Sequence, residues 1–201
     1  MKLRFFEEGE LGLGWIAVEP ALMQRASHAL TEGGRTWVID PVSGDGLEEQ
    51  IRALGEPAGV IQLLDRHGRD CEGLASRLGV ELHHVPFAGV PDAPFRTLRL
   101  ADLRGWREVA LWWPERRALV CADAVGSAPY YLGPGERIAL HPFLRLWPPK
   151  VLHGLQPEHV LCGHGEGIHG SGAAFALEEA LSTARRRAPR WLWHQLRGRR
   201  P

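Results

Sequence analysis

Asp65, His67, Arg69 and Asp70 crowd one short stretch, Leu63-Leu64-Asp65-Arg66-His67-Gly68-Arg69-Asp70-Cys71, where an apolar run breaks into ionisable side chains. A carboxylate beside an imidazole can take and return protons, and the same residue types can hold a metal ion. Three further apolar runs end alike: Trp37-Val38-Ile39 at Asp40, Leu119-Val120-Cys121-Ala122 at Asp123, and Val160-Leu161-Cys162-Gly163 at His164. Apolar runs without clear alternation suit strands covered on both faces. Any one of these ionisable residues taken alone reads as a loop or cap residue. Four strands that each deliver one at the carboxyl end point to a shared site, because ligands in layered α/β proteins bind along that edge.

The elements that must position these groups follow from the spacing. Glu32-Gly33-Gly34-Arg35 reads as a tight turn between antiparallel strands. Leu47 to Leu54 is a helix stopped by Gly55, and Val60 to Leu64 returns as the next strand, a β-α-β unit. Cys71 to Leu78 is a second helix, with Glu72 at its positive end and Gly79 closing it. Val80 to Phe87 and Phe95 to Leu100 read as extended. Val109 to Trp113 and Ala118 to Ala122 form a hairpin around Pro114-Glu115-Arg116-Arg117. Gly126 to Gly135 is a Gly- and Pro-rich loop expected to be mobile, and His141 to Leu155 a short-helix region broken by Pro148 and Pro149. A last helix starts near Ala173, capped by Ser171, and is expected to end at Pro189.

The 201 residues suffice for one sizeable core, and basic and acidic side chains balance at 24 each, so global charge implies no polyanionic partner. From residue 181 onward, however, there are seven arginines and no acidic residue. Residues 1–189 are therefore read as one domain and residues 190–201 as a basic Trp- and Arg-rich tail. That tail is expected to lay Trp191, Trp193 and Leu196 on the body or on a second subunit, giving a route to a homo-oligomer, with Arg197, Arg199 and Arg200 in solvent. No nucleic-acid partner is expected. Cys71, Cys121 and Cys162 are too far apart for a C-x-x-C knuckle and read as reduced thiols. With no signal-like apolar start and no membrane-length apolar run, the expected location is the cytoplasm.

The order of pieces resembles the metallo-β-lactamase-fold superfamily over roughly residues 10–185: a strand to Asp40-Pro41, a helix, the Asp65–Asp70 loop, a hairpin to Asp123-Ala124, then Gly163-His164-Gly165. The resemblance implies an α/β (α+β layered) fold, an αββα sandwich of two mixed sheets between helices. It also implies metal ligands in a His-x-His-x-Asp-His loop, a further His before the hairpin, an Asp at its end and a last His. Matched position by position, Asp65 stands at the first His, His67 at the second, Arg69 at the Asp, Asp70 at the third His, Arg104 at the next, Asp123 at the bridging Asp and His164 at the last His. Arginine has no lone pair for a metal, so a two-metal site is not expected. What the resemblance leaves is one zinc, iron or manganese ion on His67, Asp123 and His164, with Asp65 or Asp70 as fourth ligand or general base, or no ion at all.

Two function classes follow. One is a hydrolase of an ester, thioester or phosphoester using at most one metal ion. The other is a non-catalytic, metal-free descendant that binds a small anion or a protein, with Arg69 and Arg104 pairing with Asp65, Asp70 and Asp123. In both, a small-molecule ligand is expected at the strand-end rim. His169 reads as a surface residue, and Trp106, Trp112 and Trp113 as core or sheet cover. No P-loop, Gly-x-Gly-x-x-Gly or Gly-x-Ser-x-Gly pattern is present.

Overall fold

The computed structural model describes residues 1–18 and 23–198. A six-stranded sheet contains β1 (Leu3–Glu7), β2 (Gly12–Ala17), β3 (Ala26–Glu32), β4 (Arg35–Ile39), β5 (Glu56–Gln62) and β6 (Leu82–His84), paired in chain order. β1 to β4 run antiparallel, whereas β4, β5 and β6 are parallel. The second sheet draws on β7 (Arg96–Leu103), β8 (Trp106–Trp113) and β9 (Ala118–Cys121). β10 (Val125–Gly126) and β11 (Ala139–Leu140) pair with each other, and β12 (His159–Cys162) and β13 (Ile168–His169) complete the sheet in the order β13-β12-β9-β8-β7. β9 and β12 are parallel, so Asp123 and His164 leave the same edge.

Alternation along the strands sorts the core into layers. Ile39, Ile61, Val120 and Leu161 meet between the sheets. Val38 and Val60 face outward onto α1 (Leu47–Leu54) and α2 (Cys71–Leu78) through Leu47, Ile51 and Leu74. Leu119 and Val160 face the opposite way, onto Leu177 and Leu181 of α3 (Ala173–Gly198). The architecture is the expected αββα sandwich. Each of these fully buried aliphatic side chains contributes about 1.5–3 kcal/mol, which makes the strand ends a rigid frame for the site. Among the described residues, no helix is long and apolar enough to cross a membrane.

Two expectations are corrected. The loop Gly126 to Gly135 is anchored, because Tyr131 is fully buried in it and its carbonyl accepts from Arg145 Nη2 (2.7 Å). The last helix does not stop at Pro189 but runs on to Gly198. A proline inside a helix costs about 3 kcal/mol, and tertiary contacts beyond it offset that loss. Trp191 Nε1 donates to Tyr130 O (3.0 Å), Gln195 Nε2 donates to Pro129 O (3.1 Å), and Arg145 lies over the Trp191 ring. Trp193, Leu196 and Arg197 remain exposed, and Arg199 and Arg200 lie outside the described residues.

A buried ionic cluster joins the two sheets at one edge. Glu8 is fully buried, with Oε1 2.7 Å from His28 Nδ1 on β3 and Oε2 3.1 Å from His169 Nε2 on β13. His28 Nε2 reaches Cys162 O (3.0 Å). Burial pushes the Glu8 carboxyl up, but the charge of His28 and the hydrogen bonds from both histidines outweigh it and hold the value below 4.5. The bond to Glu8 raises His169 above 6.5 against the effect of its burial. Glu8 therefore contributes stability that is present above 4.5 and lost as pH falls through its lower folded value, while the contribution of His169 is present below 6.5 and lost as pH rises through its raised one. Glu8→Gln is expected to cost about 2 kcal/mol at about pH 6, with a smaller difference from wild type at about pH 4 and pH 8. Urea denaturation at the three pH values checks this, and a difference that does not change with pH would refute it.

Candidate metal centre

Three strand ends bring three donor atoms together. His67, Asp123 and His164 are all buried, with Asp123 Oδ1 3.1 Å from His67 Nε2, 3.1 Å from His164 Nε2, and the two Nε2 atoms 3.3 Å apart. The other nitrogen of each ring is committed. His67 Nδ1 donates to Asp40 Oδ2 (2.8 Å), and His164 Nδ1 donates to Met23 O (2.8 Å), since a carbonyl can only accept. With Nδ1 of each ring turned outward, both Nε2 atoms point at the carboxylate oxygen, as hydrogen-bond donors when the ring is protonated and as lone pairs for a metal when it is not. Three electron-rich atoms so close repel unless positive charge lies among them.

Local backbone features set this geometry. Asp40, whose Oδ1 accepts from Leu63 N (2.8 Å), has φ of 45°, and Arg69 has φ of 39°. Non-glycine residues in that region store about 1–3 kcal/mol each, and such strain concentrates at functional sites. The Gly163-His164-Gly165 turn runs close to the neighbouring strand end: a Cβ on Gly163 would lie 2.7 Å from Ala122 O, and Gly165 has φ of 87°.

The arginines are placed differently from the expected network. Arg104 sits exposed in the turn between β7 and β8. Arg66, one residue before His67, holds Asp123 instead: Nη2 donates to Asp123 Oδ2 (3.0 Å), Nη1 to Gly105 O (3.1 Å), and the guanidinium stacks 4.4 Å from the Trp106 ring centre. Arg69 does enter the site, but on carbonyls: Nη1 donates to Ala26 O and Asp40 O (2.9 Å) and Nη2 to Gly163 O (2.9 Å), leaving Nη2 3.5 Å from His67 Nε2. The carboxylates are also apportioned otherwise. Asp70 precedes α2 without capping it and takes Arg77 Nη2 (2.7 Å) and Ser43 Oγ. Asp65 keeps Oδ1 buried with no hydrogen-bond partner.

Several site residues escaped the sequence reading. Glu108, fully buried on β8, accepts Asp123 N (2.9 Å) and Ala124 N (2.8 Å) at Oε1 and Trp106 Nε1 (2.8 Å) at Oε2. The one available signal was an acidic residue at the head of the apolar run Val109 to Trp113. Tyr131 stacks on His164 at 5.8 Å, and His141 meets Trp106 edge-on at 4.8 Å. Arg66, Trp106, His141, Tyr131 and His164 thus form a continuous wall around Asp123.

Charges are tuned accordingly. Asp123 resists burial because the His164 and His67 bonds hold its carboxyl far below the usual range. Burial and the charge of Arg69 oppose protonation of His67, but Asp40 and Asp123 outweigh them and raise it. Burial, then the Asp123 charge, pushes Glu108 up to about 7, and burial pushes His141 down to about 4.

The donor set fits one divalent ion. Two imidazole Nε2 atoms and a carboxylate oxygen are the mixed ligands that zinc, iron or manganese accept, and both rings carry the outward hydrogen bond usual for metal-bound histidine. A second ion does not fit: Asp123 Oδ2 is taken by Arg66, and Arg69 brings a permanent positive charge beside His67.

No protein-family model and no curated protein sequence matches the chain. Solved structures do match its fold. Similar ones include the DIM-1 metallo-beta-lactamase exposed to ceftazidime, at TM-score 0.63 and 13% identity over 92% of this chain and 98% of that one. A metallo-beta-lactamase from Pontibacter korlensis aligns at TM-score 0.58 and 13% identity over 90% and 99%, and one from Hirschia baltica at 0.58 and 11% over 90% and 98%. The chain has the metallo-β-lactamase fold, at 11–13% identity to these proteins.

Proposed function

We propose that this protein is a hydrolase of the metallo-β-lactamase superfamily, acting on an ester, thioester or phosphoester with one metal ion held by His67, Asp123 and His164. The observation that carries this reading is the convergence of three donor atoms whose tautomers are fixed from outside. An ion there would supply Lewis acidity toward the substrate's oxygen and toward water. The chain's own residues supply the remainder. Asp40 and Met23 O orient the imidazoles, Glu108 orients the backbone that carries Asp123, and Arg69 contributes fixed positive charge. With Asp70 engaged by Arg77, Asp65 is the loop carboxylate with an oxygen free to take a proton from the attacking water.

Elemental analysis of protein purified without chelator is expected to find about one equivalent of zinc, iron or manganese per chain, not two. Asp123→Ala and His164→Ala should each abolish both metal and hydrolysis. The closeness of Arg69 to His67 favours a second reading, a metal-free binder of small anions. Metal well below one equivalent in wild type, with no change on replacing Asp123, would establish that reading and refute the first.

A further inference from the structure

We infer that Arg66 is the receptor for the phosphoryl group of the substrate, so that the site acts on a phosphoester of a flat, apolar alcohol rather than on a carboxylic ester or thioester. This rests on the hydrolase reading above and narrows it. Arg66 is pinned on two sides, by Asp123 Oδ2 and Gly105 O, and lies over the Trp106 ring, yet its side chain remains 44% exposed. A guanidinium is a planar fork of five N–H donors, and with one bond from Nη1 to Gly105 O and one from Nη2 to Asp123 Oδ2 three N–H groups remain on a partly exposed side chain to take the oxygens of one oxyanion.

The position of the fork selects the chemistry. Asp123 Oδ2 touches Arg66 while Oδ1 touches both imidazoles, so the fork and the triad stand one carboxylate's width apart. A substrate spanning them needs its anionic oxygens and its reacting centre in one functional group. A phosphoester meets that condition, because the group attacked is itself the anion. An ester or thioester carbonyl is neutral and would bring no anion to the donors that Asp123 leaves over. The organic part would rest against the aromatic wall, where His141 lies edge-on to Trp106 and Phe143, 69% exposed, extends beyond it at 5.6 Å from His141. In the reaction, the oxygen of water forms a new bond to phosphorus, the bond from phosphorus to the alcohol oxygen breaks, and the departing alkoxide takes the proton that water gives up.

The test is calorimetric titration of phenyl phosphate into the full chain, once in EDTA and once with zinc. Wild type is expected to bind phenyl phosphate at least about tenfold more tightly than phenol or benzoate. Arg66→Gln should lose at least about tenfold and Arg66→Lys about threefold, since lysine keeps the charge and loses the fork. Arg99→Gln, an exposed arginine on β7, should change nothing. Circular dichroism confirms that each variant is folded. Wild type that binds phenyl phosphate no better than phenol, or benzoate equally well, overturns the inference even if a variant fails to fold. Zinc-loaded protein whose affinity ignores Arg66 overturns it while leaving the one-ion hydrolase intact. Arg66-dependent binding by protein that never takes up metal supports the receptor and refutes the hydrolase.

Discussion

Arg69→Ala is expected to lower the free energy of unfolding by about 3–5 kcal/mol, equally with and without EDTA. The side chain is half-buried, with Nε shielded from solvent, and desolvation opposes its charge. It persists because Ala26 O, Asp40 O and Gly163 O, from three separate elements, converge on it. Alanine would take one donor from each carbonyl, leaving Ser27 Oγ on Asp40 O and Ala26 N on Gly163 O, at about 1–3 kcal/mol in all, and would open a cavity between the Asp40 and His164 strand ends that adds to the loss. The effect runs through carbonyls rather than through carboxylate repulsion, so lowering the pH to about 5 should not rescue the variant. Urea denaturation in EDTA at neutral and mildly acidic pH gives the answer. A loss under about 1 kcal/mol would show that the three carbonyls find water instead.

Arg145→Ala should cost a similar amount, about 3–5 kcal/mol, and should also weaken the site. Arg145 and Glu136 have side-chain exposures of 1% and 3%, are joined by hydrogen bonds of 2.9 Å and 2.6 Å, and Arg145 also holds Tyr131 O. Without the arginine, Glu136 is left a buried carboxylate held by Gly133 N (2.7 Å), with its nearest remaining positive charge the more distant Arg187 guanidinium, at 3.9 Å. The loop carrying Tyr131, which stacks on His164 beside Asp123, would loosen with it. Arg145→Ala,Glu136→Leu removes both charges and should recover most of the stability, because an ion pair contributes little net beyond its desolvation. Thermal melts of the single and double variants check this, and a double variant no more stable than the single would refute it.

The fold was legible because its signals are local. Leu47 to Leu54 and Cys71 to Leu78 are helices over the expected ranges, each stopped by its glycine, and Trp113 pairs with Ala118 across the expected hairpin. His67, Asp123 and His164 were legible as candidates because each follows a strand in the order the superfamily uses. Arg104 matches a ligand position of the resembled pattern, but the register shifts between Arg99 and Ala101 and Arg104 lies exposed in the turn that follows. Arg66 could not be chosen that way. Its direction depends on Trp106, forty positions on in sequence, and on Asp123, 57 positions on.

The sequence by itself determined the first two helices, the hairpin through Pro114, the order of the main segments, and which ionisable residue follows each of four buried strands. Those are matters of periodicity and of residues within a few positions of one another. The tertiary structure alone decided which arginine meets Asp123, that Arg69 is satisfied by carbonyls, that Glu108 and Tyr131 belong to the site, and that α3 continues through Pro189. Each of these turns on a contact between residues distant in the chain, such as the 97 positions between His67 and His164. A buried charge takes whatever partners the packed strands place beside it, and no local pattern records them.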